Sequence, residues 1–161
     1  MKNDIFVKLA DRWKDVDYME SETDVPEIKG RIIKAKRLYN LIEQIPDLSI
    51  TRAIINSSPT LKTQFITAQN STFLAITDES WLSIFSYEDI DSTPSKFQEA
   101  ILYGLIQGKY THHKHGQYIQ NINNEDLLVE RDRDQIYIEN IRLRINNATY
   151  TTENDCVIYL I

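Results

Sequence analysis

The three histidines of this chain crowd into one short stretch, Lys109-Tyr110-Thr111-His112-His113-Lys114-His115-Gly116. Imidazole is the side chain best suited to proton transfer near neutral pH, and its neutral nitrogen is a good ligand for transition metals. On a strand, His113 and His115 would share a face; on a helical turn, His112 and His115 would. A closed metal site wants about four ligands and an open catalytic one about three. No spacing in the sequence assigns a carboxylate as the missing partner. The segment follows a helix-stopping glycine and reads as a polar loop, with His112, His113 and His115 as weak metal candidates only.

The remaining chemistry-bearing residues are scattered. Cys156 is the single cysteine, so no internal disulfide and no cysteine-based zinc site can form. Its run, Cys156-Val157-Ile158-Tyr159-Leu160-Ile161, marks it as a small core residue. Glu27-Ile28-Lys29 matches the Glu-x-Lys fragment of metal nucleases, but it falls at an expected helix start rather than on a strand. Glu88-Asp89-Ile90-Asp91 lacks the glycine and terminal glutamate of a calcium loop and reads as an acidic loop. The four glycines, at 30, 104, 108 and 116, form no phosphate cradle, and no nucleophile elbow or zincin motif is present. No cofactor is expected.

Charge is more suggestive than chemistry. Lys29, Arg31, Lys34, Lys36 and Arg37 form the longest run of one sign, opposite the apolar stripe of an expected helix. Arg142 and Arg144 alternate along an expected strand and would extend a basic surface. Asp11, Asp15, Asp17, Glu20, Glu22 and Asp24 supply a contrasting acidic set. Such asymmetry suits ordered association with another protein or with further copies of this chain. Lys109, Tyr110, Lys114 and Tyr118 also combine charge with aromatic faces, the recipe for single-stranded nucleic acid. The net charge of −6 opposes that reading, as does the cancelling alternation of Arg131 and Arg133 with Asp132 and Asp134.

The elements that must position these groups follow from periodicity. Residues 4–20 predict an amphipathic helix with Ile5, Phe6, Leu9, Trp13 and Val16 on one face. A second helix is expected from Asp24, its cap, to Pro46, with Ile28, Ile32, Ala35, Tyr39 and Ile42 inward. The two would form an N-terminal helical hairpin. Ser49–Asn56 is ambiguous between strand and helix. Thr63–Thr67 and Thr72–Thr77 are β-branched and aromatic, and predict a hairpin. Asp78–Phe85 reads as a helical turn. A further helix near 93–107 is capped by Thr93, opened by Pro94 and stopped by Gly108. Strands are expected at 135–139, 140–145, 148–152 and 156–161.

Helices lead and strands trail, which predicts an α+β fold with a mainly antiparallel sheet built largely from the C-terminal third. With 161 residues the chain is one domain, a helical front at 1–108 and a strand-rich back at 109–161. Met1-Lys2-Asn3-Asp4 does not read as a targeting signal, and no apolar run approaches the roughly 18 residues of a membrane span. A cytoplasmic protein, or a virion component made in the cytoplasm, is expected, with no membrane partner. The richness in Ile, Asn and Thr suits a bacterial or phage source. The reading these features favour is a non-catalytic protein-interaction protein. It would serve as a phage or secretion-type assembly adaptor, or as an inhibitor or immunity-type binding protein. The alternatives are a small hydrolytic enzyme using the histidine cluster and a nucleic-acid-binding module. A C-terminal strand at a sheet edge would offer a partner a place for strand addition.

Overall fold

The computed structural model describes residues 3–14, 32–92, 94–110, 114–133, 135–143 and 149–161. Helix α1 spans Asp4–Lys14. Asn3 opens it, its side-chain oxygen accepting from Ile5 N at 3.0 Å. Ile5, Phe6 and Leu9 are buried as the periodicity requires, and Lys8 and Asp11 face solvent. The expected extension to residue 20 lies outside the described residues.

The expected second helix is not continuous. Ile32–Ala35 is a strand, β1, and the helix α2 occupies only Leu38–Gln44. Both halves carry apolar residues at helical spacing, yet β1 runs parallel to β8 (Thr149–Thr152), pairing Ile32 with Thr149 and Ala35 with Thr152. Backbone pairing to a distant strand overrides the local pattern here. Residues 24–31, the rest of the expected hairpin, lie outside the described residues.

A single 3₁₀ turn at Pro46–Leu48 leads into α3 (Ser49–Asn56), which resolves the ambiguous segment as a helix. The expected hairpin at 63–77 is corrected. Pro59–Thr67 is a helix, α4, with Ser58 as its cap and Pro59 in its first turn. Its β-branched threonines return their hydroxyls to the backbone one turn earlier: Thr63 to Pro59 O at 2.8 Å, Thr67 to Thr63 O at 2.9 Å. Only the second half is a strand, β2 (Ser71–Ala75). Helices α5 (Asp78–Leu82), α6 (Tyr87–Ser92) and α7 (Pro94–Tyr103) follow. The last ends earlier than expected, because Leu105–Gln107 is strand β3. Gly108, with φ +99°, ends that strand rather than the helix.

The back of the chain is strand-rich. It comprises β4 (Tyr118–Gln120), β5 (Asp126–Asp132), β6 (Gln135–Ile138), β7 (Ile141–Arg142), β8 and β9 (Val157–Leu160). Strands β6 and β7 are joined by Glu139 and Asn140, both at positive φ (50° and 66°), the conformation a two-residue hairpin demands. The result is an α+β fold with two sheets of order β1-β8-β9-β2-β3 and β4-β5-β6-β7 among the described residues. The second sheet is antiparallel throughout; the first mixes parallel and antiparallel pairs. Buried Asn121, just after β4, bridges to Ile106 of β3 and so ties the sheets together. Its amide donates to Tyr103 O at 3.2 Å, and its carbonyl accepts from Asn123 N and Glu125 N at 3.0 and 2.9 Å. The apolar C-terminal strand is not an edge. Strand β9 lies between β8 and β2, so its backbone is already paired and offers no place for strand addition.

Candidate functional site

The first sheet and the α5 corner support one wall of a surface groove. Strand β2 runs into Ile76 and Thr77, and Thr77 caps α5 through Ser80 N. Within α3, Thr51 is fully buried and Trp81 of α5 likewise. The Thr51 hydroxyl donates to Ile76 O at 2.6 Å and accepts from Trp81 Nε1 at 2.9 Å. One side chain thereby locks α3 to both the sheet and α5. The helix start is held as well: Asp78 accepts from Ser49 Oγ at 2.5 Å and from Ile50 N at 2.8 Å.

With α3 fixed in this way, its outer face turns towards α6. Helix α6 begins with a reciprocal pair: Ser86 N donates to Asp89 at 3.1 Å and Asp89 N to Ser86 Oγ at 3.2 Å. These bonds hold the Asp89 carboxyl below its ordinary range, the Ser86 backbone N–H contributing most. The acids expected to form a loop at 88–91 therefore lie on a helix. Between α3 and α6 lies a groove of about 420 Å³, lined by Ile50, Ala53, Ile54, Tyr87, Ile90 and Asp91 together with Ser49 and Ser57. Tyr87 is 63% exposed although aromatic, and Ala53 is open to solvent. The groove offers apolar contact, hydroxyls and one carboxylate.

A smaller hollow of about 180 Å³ lies between α1 and the β6–β7 turn, lined by Phe6, Val7, Ala10, Asp11, Tyr103, Glu139 and Asn140. Burial, then the charges of Glu139 and Glu125, push the Tyr103 hydroxyl well above its usual value. Glu139 is committed to structure: its carboxylate accepts from Leu128 N at 2.8 Å and from Tyr103 Oη at 3.5 Å.

The residues singled out by sequence are dispersed. His112 and His113 lie outside the described residues. His115 is exposed, and its Nδ1 accepts from Arg131 N at 3.0 Å. Among the described residues no three of His, Cys, Asp and Glu gather as ligands would. Cys156 is fully buried. Lys29, Arg31 and Arg144 lie outside the described residues. Lys34 is on β1, and Lys36 and Arg37 are exposed in the turn after it, so these three do not form one helix face. Arg142 is only 6% exposed on β7 and contributes no surface charge. Lys109 pairs with Asp155 at 3.8 Å. Tyr110 is packed against the core, with its carbonyl accepting from Tyr159 Oη at 2.7 Å, whereas Lys114 and Tyr118 are exposed. Sequence reasoning missed the α3–α6 groove. The visible signal was Ser86-x-x-Asp89, a capping pair ahead of Ile90.

No protein-family model matches the sequence, and no curated protein does. Among solved structures, the chain is similar to a FAS1 domain pair from the insect cell adhesion molecule fasciclin I, with a TM-score of 0.55 and 12% identity. The match covers 79% of this chain and 49% of that one, so this chain spans about half the length of its two-domain neighbour. At that identity the likeness is one of fold.

Proposed function

We propose that this chain is a non-catalytic protein-interaction module that holds its partner in the groove between α3 and α6. The observation that carries the reading is the groove itself: a largely apolar hollow of about 420 Å³ that exposes Tyr87, with α3 on one side pinned by buried hydrogen bonds. Exposed aromatic groups beside a preformed apolar hollow are what a binding surface needs, because they gain area at little cost in conformational freedom. The fold likeness to a cell adhesion molecule is compatible with an interaction role. An adaptor in an assembly and an inhibitor that occludes its target would both use such a groove. Among the described residues no helix is long and apolar enough to cross a membrane. We place the protein in the cytoplasm or in a virion assembled there.

The test is whether the groove governs association in the source cell. Ala53→Trp fills the groove from an exposed helix position, where it leaves the core untouched. Affinity-purified wild-type protein should carry a stoichiometric partner, and the variant should lose it while keeping the wild-type melting temperature. Retention of the partner by Ala53→Trp would overturn the reading.

A further inference from the structure

We infer that the groove selects a basic peptide segment, one bulky apolar side chain flanked by lysine or arginine; the inference rests on the binding role proposed above. The argument is one of charge. Asp91 lines the groove, and Glu88 lies one turn earlier on α6; both are exposed and neither forms an ion pair among the described residues. Ser49, which also lines the groove, is bonded to Asp78, whose two carboxylate oxygens are taken up at the head of α3 by Ser49 Oγ and Ile50 N.

The cations on the adjoining elements have partners other than Asp91 and Glu88. Arg52, next to Ala53 on α3, donates instead to Ile42 O and Glu43 O at 3.5 and 3.2 Å, which ties it to α2. Lys96 on α7 stands over the Phe85 ring, 5.4 Å from its centroid, and its charge also acts on Asp89 of α6; Lys8 reaches the same ring at 4.9 Å. Of the groove's lining residues none is cationic. An apolar floor beside Asp91 and Glu88 is complementary to a segment whose apolar anchor enters while its cations meet those two carboxylates. An acidic segment would meet like charge at Asp91 and Glu88. A neutral one would leave the carboxylates unused.

A random dodecapeptide display library panned against the intact chain tests this. The enriched peptides should share a bulky apolar residue with lysine or arginine on either side. A synthetic peptide of that consensus, followed by fluorescence anisotropy, should bind at least tenfold more weakly to Ala53→Trp. Reversing one exposed charge, Asp91→Lys, should weaken it by about threefold to tenfold, and added salt should reduce that difference. Asp91→Asn should fall between. Peptides that are lost with Ala53→Trp but carry no positive charge would overturn the inference and leave the binding role standing. Basic peptides indifferent to Ala53→Trp, or no enrichment at all, would also overturn it. The partner retained or lost from the source cell then judges the binding role separately.

Discussion

Thr51 offers the sharpest test of how the groove is held. Its side chain is completely buried, and its one hydroxyl serves both Ile76 O and Trp81 Nε1. Thr51→Val keeps the shape and removes the hydroxyl. Two buried polar groups then lose their partner, at about 1–3 kcal/mol each, and after relaxation the net loss should be about 2–4 kcal/mol. Thr51→Ser keeps the hydroxyl and removes one methyl, which costs about 1 kcal/mol in lost burial and cavity. The isostere should therefore be the worse substitution. For a chain of this length each kcal/mol moves the melting temperature by about 2–4 °C, so the valine variant should melt roughly 5–15 °C below wild type. Urea unfolding followed by far-UV circular dichroism measures both variants without relying on Trp81 fluorescence. If Thr51→Val proves as stable as wild type, or more stable than Thr51→Ser, the shared hydroxyl is not what fixes α3.

Further outcomes follow from buried contacts elsewhere. A Cβ at Gly104 would stand 2.7 Å from Leu74 O and 3.1 Å from Phe6 Cζ, so Gly104→Ala should cost about 1–3 kcal/mol in the same unfolding assay. Burial raises the Tyr159 hydroxyl from 10.0 to about 12. The unfolded chain thus ionises first, and the stability tied to Tyr159 should be full below pH 10 and lost as the pH rises towards 12. Alkaline unfolding curves should show that loss, and Tyr159→Phe should flatten it. Cys156, fully buried with its Sγ 3.5 Å from Ala68 O, should react with a thiol dye only at the rate of unfolding; rapid labelling in native buffer would contradict its placement.

Legibility in the sequence followed the range of the contacts. Helices α1 and α7 announce themselves through Ile5, Phe6 and Leu9 and through Phe97 and Ile101, because a helix is closed by neighbours in sequence. The trailing strands β6 to β9 show as β-branched, alternating runs. Residues 32–35 were opaque: Ile32 and Ala35 fit a helical stripe, and the pairing of β1 with Thr149–Thr152 that makes them a strand is written nowhere near them. Thr63–Thr67 misled through β propensity, although Ser58 and Pro59 carried a helix-start signal that the surrounding turn-forming residues obscured. The central place of β9 depends on sheet order, which no local pattern encodes. The groove was hidden for a related reason. Its walls come from an ambiguous segment and an acidic stretch that looked like loop, and nothing in either states that they face each other.

Hydrogen–deuterium exchange of the wild-type chain, with and without the partner that co-purifies from the source cell, tests the binding groove most directly. Amides of Ile50–Ser57 and Tyr87–Asp91 should exchange more slowly in the complex, while those of β4 to β7 stay unchanged. Protection confined to the β4–β7 sheet, with α3 and α6 unaffected, would contradict it.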